Sequence, residues 1–192
     1  MLNVLVSPSL EFQIFVLASE ATCAMTKPNS PDFALGAQDA AFLRIEHLSI
    51  VAASRSADNI PFMSRALGSR LSTDNRKMTL FFSAADAHGL LEHIKNNGMI
   101  AAVFALPSTH QALQLKGSDA KAEKPLKSDS KLVTSYRQAF VEHLKKFGYS
   151  PSLIGALLTP ESEDIVAVTF TPSAAFSQTP GPNAGHAVGP TR

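Results

Sequence analysis

Between Leu48 and Phe82 three short β-type runs are joined by turn chemistry, and that order limits the chain to folds built on antiparallel pairs. Leu48-Ser-Ile-Val-Ala-Ala-Ser54 reads as a strand, residues 56–59 as a turn, and residues 61 to about 72 as a second strand. Ser72-Thr-Asp-Asn-Arg76 then turns the chain into a third strand, residues 78–82. Links this short join antiparallel neighbours, because a parallel pair needs a crossover of a dozen residues or more. Ser83 is placed to cap a helix over residues 84–96, with Leu90, Leu91 and Ile94 as its buried stripe and Gly98 as its stop. Residues 99–106 form a continuous apolar run of central-strand length, and residues 111–123 form the next strand, irregular near Gly117. Ser128 or Asp129 starts the longest helix, to about Phe147, in which Leu132, Tyr136, Phe140 and Leu144 repeat at helical spacing. A short helix over residues 151–158 and a last strand over residues 164–170 complete the pattern.

Six strands interrupted by helices, without strict β-α-β alternation, predict a mainly β fold with α: an antiparallel barrel, closed or partly closed, with flanking helices. No Gly-x-Gly-x-x-Gly follows a strand and opens a helix, which disfavours a dinucleotide-binding sheet. With 192 residues, 45% of them hydrophobic and 17% charged, the chain can bury one real core. The expected division is an N-terminal extension over residues 1–40, a barrel domain over 41–177 and a flexible tail over 178–192. Residues 10–18 are apolar, but no Lys or Arg precedes them and the run is too short to span a bilayer, so a secretory signal is disfavoured. Translation from Met25 is the alternative for this region.

Seventeen basic residues against sixteen acidic leave a formal charge of +1, which gives no electrostatic case for nucleic acid or an anionic membrane. There is no Trp and only two Tyr, so base-stacking platforms are not evident. A lone cysteine, Cys23, makes no internal disulfide and fits a reducing cytoplasm. It also leaves nucleophilic catalysis unsupported, since no Gly-x-Ser-x-Gly elbow occurs. His88 and His93 are five apart and lie on different helix faces, so no metal site is expected from histidine spacing.

Two polar intrusions interrupt the apolar pattern. In a strand, Gln111, Leu113 and Leu115 share one face, which sets a neutral amide among apolar side chains where each donor and acceptor needs a partner. Met63, Arg65, Leu67 and Leu71 likewise share a face. Arg65 is read either as an ion-paired or snorkelling structural residue or as a bidentate clamp on a phosphate or carboxylate. Together the two intrusions suggest a ligand that is planar and polar at one end and anionic at the other.

From about Leu43 to Pro182 the chain resembles the pyridoxamine 5'-phosphate oxidase-like family of FMN-binding split barrels. Pro61-Phe-Met-Ser-Arg-Ala-Leu-Gly68 looks like the family's second strand, where an Arg followed by apolar residues runs along the flavin. His110-Gln-Ala-Leu-Gln-Leu-Lys-Gly117 looks like its Arg-Gln-Val-x-Val-x-Gly strand, whose Gln sits near the cofactor. The resemblance implies a six-stranded antiparallel split barrel with flanking helices, a homodimer, FMN at the subunit interface and a flavin-dependent oxidoreductase activity. The implied cofactor-binding residues are Arg65, Ala66, Leu67, Ser83, Ser108, Thr109 and Gln111. The family's oxidases grip the FMN phosphate with Ser-Arg-Lys at the start of the helix after the third strand. This chain has Ser83-Ala-Ala-Asp-Ala-His88 there, so oxidation of pyridoxamine phosphate is not expected. The alternative is a non-catalytic flavin- or haem-binding module or a dimeric scaffold, with His110 as the candidate acid, base or haem ligand.

Overall fold

The computed structural model describes residues 33–158 and 164–189, and the readings made of residues 1–32, Cys23 and Met25 included, lie outside them. After α1 (Ala37–Leu43) come β1 (Ser49–Arg55), β2 (Pro61–Arg65), β3 (Ser69–Leu71) and β4 (Met78–Ser83). Then α2 (His88–Asn97) leads into β5 (Ile100–Ala105), β6 (Ala112–Gly117) and β7 (Lys121–Glu123). Helices α3 (Asp129–Lys145) and α4 (Pro151–Leu158) precede β8 (Ile165–Phe170), β9 (Ala174–Ser177) and β10 (Ala187–Val188). The architecture is the expected mixture of antiparallel sheet and flanking helices.

A six-stranded sheet runs β10-β9-β6-β5-β1-β2 and a four-stranded sheet runs β3-β4-β8-β7. The chain passes from one sheet to the other with no helix between at residues 66–68, 118–120 and 171–173. These bends divide strands that the sequence reads as single. Residues 61–72 become β2 in the first sheet and β3 in the second, and residues 111–123 become β6 and β7. The irregularity expected at Gly117 is a packing requirement: a Cβ there would lie 2.6 Å from the Phe170 ring and 3.0 Å from the Thr171 carbonyl oxygen.

The core lies between the sheets. In β1 only alternate residues are buried, and Ile50 and Ala52 join Phe104, Leu115, Leu80 and Phe82 in one cluster. Strand β4 is buried at every position because both its faces are covered. Met78, Leu80 and Phe82 enter the main cluster, while Phe81 meets Leu67, Val133 and Ala167. Burying a ring such as Phe81 contributes about 2–3 kcal/mol.

Helix α3 buries Val133, Tyr136 and Phe140, and Leu132, expected on that stripe, is 38% exposed. The true stripe starts one residue later, at spacings of three and four. Helix α2 starts at His88 instead of Ala84, because Ser83 organises a turn first. The Asp86 N–H donates to Ser83 Oγ at 3.4 Å and the Ala87 N–H to the Ser83 carbonyl at 3.0 Å. At the N-terminal side Leu35 and Ala40, assigned from sequence to the extension, are buried in the main cluster. At the other end the chain past Ser177 doubles back, and β10 pairs with β9.

Candidate functional site

Strand register defines the outer face of the first sheet. Opposed residues place Arg65, Val51, Val103, Gln114 and Phe176 in one row across β2, β1, β5, β6 and β9. The adjacent row carries Ser49, Ala105 and Ala112, and it continues to Gln178, whose N–H donates to the Ala112 carbonyl at 2.8 Å. Directly opposed residues of an antiparallel pair project on the same side, so these side chains form one floor. Its centre is small and apolar: Val51, Val103, Ala105 and Ala112. Arg65 and Ser49 bound it on one side, Gln114 and Gln178 on the other.

The Arg65 guanidinium donates to Ser49 Oγ at 3.1 Å. It also lies near the Tyr136 phenol, where its charge works against the burial that pushes that group far above its ordinary range. On the far side Gln178 Nε2 donates to Gln114 Oε1 at 3.4 Å. Lys116 Nζ stands 4.9 Å over the Phe176 ring, one row down on the same face. Val51, Ala53, Ala101, Val103 and Phe176 are half-buried and pack into neither buried cluster. Arg65 and Gln114 stand three strand spacings apart, roughly 14 Å.

The expected site residues divide among three places. Arg65 ends β2 on the floor. Ala66 and Leu67 form the bend behind it, with their N–H groups donating to the carbonyls of Ile50 at 3.0 Å and Phe81 at 2.7 Å. The Leu67 side chain belongs to the cluster around Phe81, so the face shared by Met63 and Arg65 does not continue to it. Ser83 is buried on β4 in the second sheet, its hydroxyl engaged by Asp86. Ser108, Thr109 and Gln111 are exposed in the β5–β6 hairpin, at the same end of the sheet as Arg65.

Gln111 is therefore not the amide of the apolar face. His110 adopts a left-handed φ of 58°, its N–H donates to the Leu106 carbonyl, and Leu106 N–H donates to the Gln111 carbonyl. Those bonds close the hairpin and start β6 at Ala112. The buried amide of this strand is Gln114, in phase with Ala112 and Lys116 on the outer face, while Leu113 and Leu115 point to the core. Alternation alone carried the signal for Gln114. Nothing in the sequence pointed to Gln178, which reaches the floor only because the chain past β9 stays in register with β6.

The floor suits a flat heterocycle with polar edges and an anionic extension. Arg65 supplies a planar donor fork at one side and the amides supply ring-edge partners at the other. Ser83 does not contribute, and residues 84–88 add Asp86 and no Lys or Arg. Arg65 and the amides would hold such a ligand without a basic grip at residues 84–88.

No family model matches the sequence, and no curated protein matches it. Solved structures similar to the chain include proteins of the pyridoxamine 5'-phosphate oxidase family. HupZ of Group A Streptococcus is 16% identical, with 79% of this chain and 100% of that chain covered at a TM-score of 0.48. A Clostridium acetobutylicum protein related to general stress protein 26, of the pyridoxinephosphate oxidase family, is 13% identical, with 80% and 92% covered at 0.45. A pyridoxamine 5'-phosphate oxidase-related, FMN-binding protein of Nostoc punctiforme is 12% identical, with 76% and 84% covered at 0.43.

Proposed function

We propose that this chain binds a flavin mononucleotide on the outer face of its six-stranded sheet, as a dimer in which a second copy covers the ligand, and that it serves as a flavin-dependent oxidoreductase. The floor supports this reading: an apolar centre of Val51, Val103, Ala105 and Ala112 lies between a guanidinium and a pair of carboxamides. Arg65 would hold the phosphate, an oxyanion that a guanidinium suits, and the small residues would leave room for the ring. A bound flavin supplies hydride or single-electron transfer. The chain orients the ring and excludes water from it. No His, Cys, Asp or Glu stands among the floor residues, so proton transfer belongs to groups outside the floor.

The test is a titration of the full chain with FMN, read by quenching of flavin fluorescence. Arg65→Ala weakens binding at least tenfold, a loss of about 1.4 kcal/mol. Arg76→Ala, in an exposed turn before β4, leaves binding unchanged. Protein that stays colourless after incubation with excess FMN, or equal effects of the two substitutions, overturns the reading. The alternative occupant is haem, for which His110 on the exposed hairpin would be the ligand. A Soret band that shifts in His110→Ala would favour haem over flavin.

A further inference from the structure

On the side away from Arg65 the floor ends in two carboxamides, and their bonding determines which ring edge they read. Gln178 lies one residue past β9, yet its backbone is fixed. Its N–H donates to the Ala112 carbonyl at 2.8 Å. The neighbouring Thr179 hydroxyl accepts from the Ala112 N–H at 3.0 Å and donates to the Ala112 carbonyl at 3.3 Å. The β9 ladder so continues by one step, and alternation puts Gln178 on the face of Phe176 and Gln114.

The side chain has a partner as well. Gln178 Nε2 donates to Gln114 Oε1 at 3.4 Å, and Gln114 is 5% exposed. A carboxamide carries two N–H donors and one carbonyl acceptor. With one N–H turned to Gln114, half-buried Gln178 keeps its Oε1 and a second N–H for a ligand, and a carboxamide's carbonyl and the N–H cis to it lie on one edge. That pair matches an adjacent N–H and C=O in a ring, the edge of a cyclic imide, through two hydrogen bonds. An edge alkylated at nitrogen offers no donor and leaves the Oε1 unpaired beneath the ligand, which counts against that ligand.

We infer that Gln178, held in place by Gln114, is the specificity-determining residue of this site and selects a pyrimidine-dione ring by its imide edge. Gln114 acts through Gln178 and is a positioning residue. The inference rests on the flavin reading for its ligand, but it depends on residues at the opposite side of the floor from Arg65.

The experiment titrates the full chain with FMN and with N3-methyl-FMN, in wild type, Gln178→Leu, Gln178→Asn, Gln114→Leu and Arg65→Ala. Wild type prefers FMN at least tenfold. Gln178→Leu and Gln178→Asn bind both ligands alike, at the affinity of the methylated one, and Gln114→Leu shrinks the preference. Arg65→Ala weakens both ligands and keeps their ratio. The Asn variant retains the amide one methylene short, so it tests reach should the Leu variant not fold. A wild type that fails to discriminate, or Gln178 variants that still do, overturns this inference and leaves the flavin site standing. If wild type binds neither flavin, the flavin reading falls. Uridine monophosphate, which carries the same imide edge, then decides by ligand-observed NMR: Gln178-dependent binding retains the inference, and no binding overturns it.

Discussion

The Tyr136 hydroxyl donates to the Leu48 carbonyl at 2.8 Å inside the core, one residue before the Ser49 that receives Arg65. Removing that donor leaves a buried carbonyl without its partner, so Tyr136→Phe costs about 1–2 kcal/mol. Urea denaturation should show a lower midpoint with an unchanged slope. One residue earlier, His47 stacks on His143 of α3 with ring centroids 4.1 Å apart. Burial lowers the pKa of both, Lys146 lowers both further, His47 lowers that of His143, and Glu46 partly offsets the effect at His47. The unfolded chain therefore binds protons more readily. The stack's contribution is fully present above the ordinary histidine value of 6.5 and is lost as pH falls through the depressed values. Thermal midpoints between pH 7.5 and 5 should fall more steeply for wild type than for His47→Gln/His143→Gln, and parallel profiles would dismiss the pair. At this scale the strand face of Arg65 was legible, because alternation through β2 sets it on the side of Met63. Gln111 misled because a left-handed His110 ends the alternation where the letters still continue it.

Gly98 ends α2 at φ 67°, and a Cβ there would stand 2.7 Å from the Ser118 carbonyl oxygen. Gly148, after α3, has φ 85° with nothing within 4 Å of such a Cβ. Both substitutions to Ala lose the ease of glycine in the left-handed region, about 1 kcal/mol. Only Gly98→Ala must also push α2 away from the β6–β7 bend, so it destabilises by roughly 2–4 kcal/mol in total. A comparison of the two by chemical denaturation isolates the steric part, and equal losses would mean the bend yields freely. Elements were legible where period and stop signals agreed, as in α2 with Gly98 or β5 as an apolar run. They were not legible where one run serves two sheets, since residues 61–72 keep the same letters whichever neighbour they pair with. Helix α1 and strand β10 went unread because each is short and is fixed by packing or pairing with distant chain.

For the whole molecule, the outer face of the first sheet combines half-buried valines and alanines with Met63 at 46% exposure. We propose that a second copy covers it, as in the flavin reading. Met63→Glu, at the edge of that face, should give a monomer by light scattering with a thermal midpoint shifted by no more than a surface substitution does. An unchanged dimer mass would take this face out of the interface.

The three bends at residues 66–68, 118–120 and 171–173 tie each sheet to the other by covalent chain. The sheets also share one buried cluster, with Ile50 and Phe104 from the first and Leu80 and Phe82 from the second, so their opening is expected to be cooperative. Amide exchange at Val51 in the first sheet and Leu80 in the second should then report the same opening free energy. A ligand held only on the first sheet would slow exchange in the second by the same factor, so strands it never touches become its reporters.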